Sequence, residues 1–471
     1  MNKKYNYLIK NMGLLTLSNF SSKILVFLLV PLYTSILSTE EYGTYDLAVS
    51  TAALCFPIFT LNIVDAVTRF LLEKDSNKKD IAVIGIKYVL LSCVLFFTLV
   101  TCIGKISIFN PLKGLEMYLY LYYCSYIANQ FFIQFSKGIE KVADMAIAGV
   151  LSTVTMIVTN VLFLIIFKCG LKGFFIANIL SQFVAVVYFF IRLQFWTYLV
   201  QWKTNKNLAK EMLIYCIPLM ATTIGWWINS TLDKYVVSFI MGVAANGVLS
   251  VSYKIPSIIN TLQGIFTQAW QISAVKEYGE ENTAVFYGNT FNVINMLMSV
   301  SCSVLIMFTK PLASILFAKD FYLAWNYVPL LLVSSVLNCA SGLLGPILSA
   351  KKNSKAMMWS AIIGSGVNAI LNIILVIIWG IQGATIATAM CSYVIYWVRK
   401  RAVGADICIV NYRNIIITWG VLIVQSYIEI NSLYFLGEIF CFLIIVILNK
   451  ESIIKIMDII KNFSRQFLKK V

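Results

Sequence analysis

Histidine is absent from all 471 residues. With it go imidazole acid–base chemistry, the Ser-His-Asp triad and the commonest metal ligand. Charge is scarce as well, since Asp, Glu, Lys and Arg make up 12% of the chain. Eleven cysteines are scattered singly with no CxxC pair, which excludes a disulfide framework and a zinc site. No metal ligand set and no cofactor motif is found. Long polar segments are missing, so no soluble domain interrupts the apolar runs. Acid is the rarer sign, with 21 Asp and Glu against 37 Lys and Arg and a net charge of +16. An excess of that kind suits nucleic acid, but here the basic residues sit in short loops and form no stripe interleaved with aromatics. No nucleic-acid partner is expected.

What is present is hydrophobic: 60% of residues, at a mean hydropathy of +0.82. Such a chain cannot bury its apolar surface in one core and stay dissolved, so a bilayer must be its solvent. Many of its 25 Tyr and 10 Trp lie near the ends of apolar runs, where amphipathic rings favour the interface.

Runs long enough to cross a ~30 Å hydrocarbon layer fall near residues 11–37, 43–71, 81–104, 115–136, 142–167 and 173–195. After a polar linker with Lys203, Lys206 and Lys210, others follow near 211–241, 245–272, 284–309, 326–349, 356–379 and 382–398. Two more lie near 412–428 and 431–449. The sequence therefore predicts an all-α integral membrane protein of about fourteen transmembrane helices. Lys3, Lys4 and Lys10 precede the first run, which continues to about residue 37 without a small-residue cleavage site and reads as a retained helix instead of a signal peptide. With the N-terminus inside, loops on its side hold most of the 37 Lys and Arg, and the positive-inside bias places both termini in the cytoplasm.

Two weak repeats suggest duplication. ILSTEEYGTYDLA has a counterpart in IMGVAANGVLSVS, with Gly43 and Gly247 in register, and GLKGFFIA from Gly170 matches GIQGATIA from Gly380 in half of its positions. Parallel duplicated halves are a common transporter plan. The expected organisation is a six-helix bundle over 1–200, a second over 207–403, two further helices over 411–449 and a cytoplasmic tail over 450–471. The tail puts Ile453, Ile456, Met457, Ile460, Phe463 and Phe467 on one face, as an interfacial helix does.

Function is sought where polar groups are costly. A charge in mid-span costs roughly 2.5–3.5 kcal/mol on insertion scales, so it usually faces a wet cavity or a partner. The first span carries Thr16, Asn19 and Lys23, the seventh Thr222, Trp226, Asn229 and Asp233 with Lys234 beside them. The eighth carries a seam of Ser250, Lys254, Ser257, Thr261, Gly264, Gln268 and Gln271. The ninth offers Asn289, Asn292 and Ser299, the eleventh Ser365, Asn368 and Asn372. Such stripes either line a cavity or bond helices together. Asp65 and Arg69 are spaced for a helical ion pair, which serves either packing or gating. Pro31, Pro57, Pro218 and Pro256 predict kinks in the first, second, seventh and eighth spans.

Two segments, KILVFLLVPLYTSILSTEEYGTYDLA from Lys23 and LDKYVVSFIMGVAANGVLSVSYKIP from Leu232, resemble the polysaccharide-export flippases (O-antigen and capsular repeat-unit translocases) of the multidrug/oligosaccharidyl-lipid/polysaccharide (MOP) exporter superfamily. Asp233, Lys234, Gly242, Gly247, Tyr253 and Lys254 carry the likeness. The family's Gly-x-x-Gly-Ala pattern occurs in the second copy only, since Phe174 replaces the small residue in the first.

The resemblance implies a MATE-like V-shaped pair of six-helix bundles plus two C-terminal helices, alternating access without enzymatic chemistry, and a cationic cavity walled by the first, second, seventh and eighth helices. It implies an undecaprenyl-pyrophosphate-linked oligosaccharide as substrate, carried across a bacterial plasma membrane, and membrane lipid and polysaccharide assembly proteins as partners. Lys23, Lys254, Lys234 and Arg69 would hold the pyrophosphate, with Asn19, Asn229, Ser250, Ser257, Thr261 and Gln268 lining the cavity. Asp46, Asp65 or Asp233 would couple the cycle to H+ or Na+. Helices thirteen and fourteen would supply a groove for the prenyl tail. The rivals are a peptidoglycan-precursor flippase, a drug/cation antiporter, which would favour an acidic cavity, and a membrane glycosyltransferase or polymerase using Glu40 and Glu41, which would need a larger outer loop.

Overall fold

A computed structural model describes residues 27–73, 77–103, 112–200, 202, 205–431 and 435–455, apart from the side chains of Ala221, Thr222, Gln268, Ala269 and Ile272. Its regular elements are all helical. Lys23, Asn19 and Thr16, and the tail beyond Lys455, lie outside the described residues.

The chain divides into two compact units. One comprises residues up to Thr231 with Val243–Gly247, the other Leu232–Gly242 with everything from Val248. In the first unit α1 (Val30–Ile36) leads into α2 (Thr39–Phe59). The start of α2 is fixed by a capping box: Glu41 N donates to Ser38 Oγ at 3.1 Å and Ser38 N donates to Glu41 Oε2 at 2.8 Å, satisfying two amides that a helix start leaves open. The Glu41 carboxylate is thereby committed to backbone.

Three residues beyond Pro57 the helix breaks, with Leu61 and Asn62 at positive φ, and α3 (Ile63–Leu71) departs at 61°. The kink expected from Pro57 is there. At Pro256 the eighth span is broken as well, one helix ending at Ser252 and the next starting at Pro256, whereas Pro31 stands in the first turn of α1, where the missing N–H costs nothing. Pro218 lies inside an unbroken helix.

Helices α4 (Lys78–Ile103), α5 (Glu116–Gly138), α6 (Val142–Asn160, extended by a π turn to Ile166) and α7 (Gly170–Arg192) complete this unit together with the first part of α8 (Lys206–Met241). Its core is aromatic. Phe195 meets Phe131, Phe132 and Phe135 edge-on at 4.9–5.7 Å, the geometry that ring quadrupoles favour.

In the second unit the rest of α8 is followed by the end of α9 (Val243–Ser252, whose first half to Gly247 belongs to the first unit), α10 (Pro256–Lys276), α11 (Thr283–Met307), α12 (Thr309–Leu316), α13 (Val328–Ala350), α14 (Ser354–Trp379), α15 (Ile381–Val403), α16 (Tyr412–Ile430) and α17 (Phe435–Leu448). The centre is α13, whose most apolar stretch is 83% buried. It is packed by α10, α11, α15 and α16. Exposed Ile370, Ile373, Ile374, Ile377 and Ile378 of α14 form the kind of face that only lipid covers.

Each span predicted from the second onward coincides with a helix or a broken helix. Among the described residues, eight helices are long and apolar enough to cross a bilayer, nine if α2 and α3 form one bent span. The difference from fourteen has local causes. The first span is described only at its end, the fourth (α5) is rich in Tyr, the eighth is split into α9 and α10, the thirteenth (α16) carries Arg, Gln, Glu and Asn near its ends and face, and the fourteenth (α17) has 14 residues.

Candidate functional site

In the first unit the predicted repeat glycines meet one another. A Cβ on Gly247 would lie 1.9 Å from the Thr39 carbonyl oxygen, and one on Gly43 2.1 Å from that of Val243. Only hydrogens fit, so the start of α9 crosses the start of α2 backbone to backbone, as small residues allow in membrane helices. Asn246 Nδ2 closes the crossing by donating to the Gly43 carbonyl at 3.1 Å.

One turn along α2, Asp46 is half-buried within electrostatic reach of Tyr33, Tyr45 and Tyr122. Phe174, the residue that breaks the glycine pattern, fills this region. Its ring lies 4.4 Å from Tyr45 and 5.5 Å from Tyr33. A small residue there would leave a hole in an aromatic cluster.

Asp65 and Arg69 do not form the expected pair. Asp65 accepts from Asn62 Nδ2 and Gln134 Nε2, both at 2.9 Å, while Arg69 reaches Glu73 Oε1 at 2.8 Å with its side chain 54% exposed. The i,i+4 spacing permits either partner. Burial decides, because Asp65 turns inward to the neutral donors of α5 and its own helix start, and Arg69 stays in water.

In the second unit Asp233 is buried and takes a hydrogen bond from the Tyr253 hydroxyl and another from Lys234 N at 2.9 Å. Tyr253 and Lys254 occupy the break between α9 and α10. The sequence seam of the eighth span is therefore interrupted, and no single continuous helix carries it. Lys254 is half-buried at the break, and Lys234 and Asn229 are half-buried on α8. Ser250 is buried, whereas Ser257 and Thr261 donate back into their own helix, to Lys254 O at 2.5 Å and Ser257 O at 2.7 Å. Gly264 borders open space. Gln268 lies outside the described side chains. The stripe on α14 also bonds to itself: Asn372 Nδ2 donates to Asn368 Oδ1 at 2.9 Å.

Beside these lies a feature the spacing did not reveal. A cavity of about 960 Å³ opens between α13, α14, α15 and α16, with Leu337, Val367, Met390, Tyr393, Trp419, Gly420 and Ile423 on its walls and Gln382 and Asn431 among its few polar residues. Of the last two helices, which were expected to form a groove, only α16 borders this cavity. The last helix, α17, packs against α16 and α11 and lines none of it. A long hydrocarbon chain fits such a wall, since each buried CH2 contributes about 0.8 kcal/mol.

Sequence reasoning also missed three buried charged side chains of the second unit. Arg399 donates to Ser360 Oγ and Ser341 O at 3.0 Å each. Glu429 and Glu438 are almost wholly buried on α16 and α17. Glu438 interrupts the apolar run FLGEIFCFLII, and the rule applied to the lysines singles it out equally.

Comparisons with known proteins agree with this architecture. Residues 8–271 match the family described as Polysaccharide biosynthesis protein, and residues 218–374 match the MatE family. Multidrug and toxin extrusion protein 1 of Rattus norvegicus is 24% identical over 271 residues, 54% of this chain and 44% of its own length, so the chain spans less than half of that relative. Among solved structures, lipid II flippase MurJ in an inward closed conformation superposes with a TM-score of 0.69 at 16% identity, over 95% of this chain and 99% of its own. An inward-facing multidrug resistance MATE family transporter of the MOP superfamily gives 0.67 at 16% identity, over 82% and 95%. A MOP superfamily transporter from Pyrococcus furiosus Vc1, described by the reverse polarity of its binding pocket, gives 0.59 at 14% identity, over 84% and 96%. The fold is that of the MATE and MurJ transporters.

Proposed function

The chain belongs to the polysaccharide biosynthesis protein family, a multi-pass membrane family of the MOP superfamily, and from that membership we propose that it is a flippase for undecaprenyl-pyrophosphate-linked oligosaccharide repeat units. It works by alternating access in a bacterial plasma membrane with both termini cytoplasmic, and it performs no covalent chemistry. The observation that carries the lipid half of this reading is the 960 Å³ cavity walled by apolar and aromatic side chains. A drug-sized cation would gain little from so long a hydrocarbon surface, whereas a prenyl chain needs one.

The head is read as a polyanion. Lys254 at the helix break and Lys234 one residue past Asp233 are half-buried ammonium groups, and the sequence puts Lys23 in mid-span of the first helix. These three would bind the pyrophosphate. Arg69, exposed and paired with Glu73, would meet it only at entry. Asn229, half-buried, would face the sugars. Coupling to H+ or Na+ would run through Asp46, Asp65 or Asp233, of which Asp233 lies nearest in sequence to the lysines. Two six-helix halves over 1–200 and 207–403 would carry the motion, with residues 411–449 beside the tail.

A peptidoglycan-precursor lipid is the second reading. The MurJ likeness, which extends over 95% of this chain against 82% for the MATE transporter, favours it over a drug antiporter.

The test is transport of labelled lipid-linked repeat units and of labelled lipid II into everted vesicles. Each charge-assisted bond is worth about 1.5–3 kcal/mol, so Lys23→Ala with Lys254→Ala should lower transport by at least about tenfold. Full activity of the double variant ends the headgroup assignment. Transport of lipid II alone replaces the oligosaccharide reading with the second one.

A further inference from the structure

The last two helices pack together and bury two acids. Glu429 stands one residue before the end of α16, and Glu438 lies in the first turn of α17. They are 4% and 2% exposed. The Glu438 carboxyl faces that of Glu429 within hydrogen-bonding range, yet Glu429 Oε1 and Glu438 Oε2 receive no hydrogen from the described residues. Lys310 Nζ approaches, 3.8 Å from Glu429 Oε2 and 4.7 Å from the centre of the Trp325 ring. Helix α11, which also packs on α17, carries no charged residue, and Cys441 lies one turn along α17 from Glu438.

Two facing acceptors repel unless a hydrogen lies between them. Two carboxylates against one ammonium would also leave a net negative charge buried, at a cost of several kcal/mol. A single proton removes both faults, turning the contact into an O–H···O bond and leaving one carboxylate for Lys310. A metal cation would ask for a larger shell of oxygens, and among the described residues no three acidic, Cys or His side chains are placed to hold one.

We propose that Glu429 and Glu438 form a proton-binding site in which the two carboxyl groups share one exchangeable proton beside Lys310. None of Asp46, Asp65 and Asp233 belongs to it. Tyr427 of α16, about 200° round the helix from Glu429, lines the apolar cavity, so one helix separates proton and groove. If the flippase reading holds, the site is a further point of ion coupling. The proton site itself stands without that reading.

The experiment is infrared difference spectroscopy of the full chain in lipid nanodiscs, stepped from about pH 5 to about pH 9, a span that covers perturbed carboxyl titrations. The wild type should show a protonated-carboxyl C=O band that shifts in D2O. Glu429→Gln and Glu438→Gln should each lose it with the thermal midpoint kept, because the amide replaces the shared O–H by an N–H. Lys310→Met should retain the band to higher pH by at least about one unit. A wild type without the band, a band surviving both Gln variants, or a band displaced by sodium at fixed pH overturns the proposal. In vesicles, Glu438→Gln should lose dependence on the proton gradient. Absence of flipping by the wild type would remove the substrate reading and leave the infrared result intact.

Discussion

Gly247 has room for a hydrogen and nothing larger, because the Thr39 carbonyl oxygen sits 1.9 Å from where a methyl carbon would stand. Gly247→Ala must push α9 off α2, and the expected loss is about 1–3 kcal/mol, read as a lowered thermal midpoint in detergent and as reduced transport. Gly264→Ala, facing open space, should leave the midpoint unchanged. Tyr253→Phe takes away the hydroxyl that Asp233 accepts from, so a buried carboxylate loses a donor. A destabilisation of about 1–3 kcal/mol is expected. Asp65 and Arg69 show the limit of reading at this scale. Helical spacing offers Arg69 both Asp65 and Glu73 but does not show Gln134 on α5, and depth turns Asp65 to Gln134 and leaves Arg69 to Glu73.

Helices are held by what their buried faces exchange. Along α16, Trp419 Nε1 donates to Asn295 Oδ1 at 3.1 Å, Ser303 Oγ donates to Gln425 Oε1 at 2.7 Å, and Gln425 Nε2 donates to Ser303 O at 3.1 Å. Asn449 Nδ2 donates to Thr418 Oγ1 at 3.0 Å. The first three fasten α16 to α11, and the fourth ties the end of α17 to α16. Interhelical bonds in membranes average about 0.6 kcal/mol and reach about 1.7, so Gln425→Leu should cost about 1 kcal/mol, measured by unfolding in mixed micelles. The other face of α16 is open. A Cβ on Gly420 meets nothing within 4 Å, and Gly420→Phe should fold normally while filling the cavity, lowering lipid-linked transport by at least about tenfold if a prenyl chain occupies it. Normal transport by that variant would remove the tail from the groove. Prolines behave by position: Pro57 precedes a 61° bend, whereas Pro218 sits in a continuous helix, whose neighbours can satisfy the freed carbonyl.

For the whole molecule the first question is which side faces out. Among the described residues Cys102, Cys169 and Cys408 are exposed, and the charge bias puts Cys169 in an outer loop and Cys408 in an inner one. With each cysteine restored alone to a cysteine-free chain, a membrane-impermeant maleimide applied to intact cells should label Cys169 and spare Cys408. The reverse pattern inverts the topology.

Much of the fold was legible in composition. A chain at +0.82 mean hydropathy with continuous apolar runs of roughly 20 residues reads as a helical membrane protein, because within a bilayer such a run satisfies its backbone groups by its own helix. Spans, their order and the paired glycines followed from periodicity and register, and the glycines do meet. Partners across helices were not legible. The packing of α16 decided that Glu429 faces Glu438 while Tyr427 lines a cavity, that Asp65 bonds to Gln134, and that the groove takes its walls from α13 to α16. Spacing along one helix fixes which side chains share a face, but the neighbour that face meets depends on depth, rotation and close packing, and these exist only once the helices are assembled.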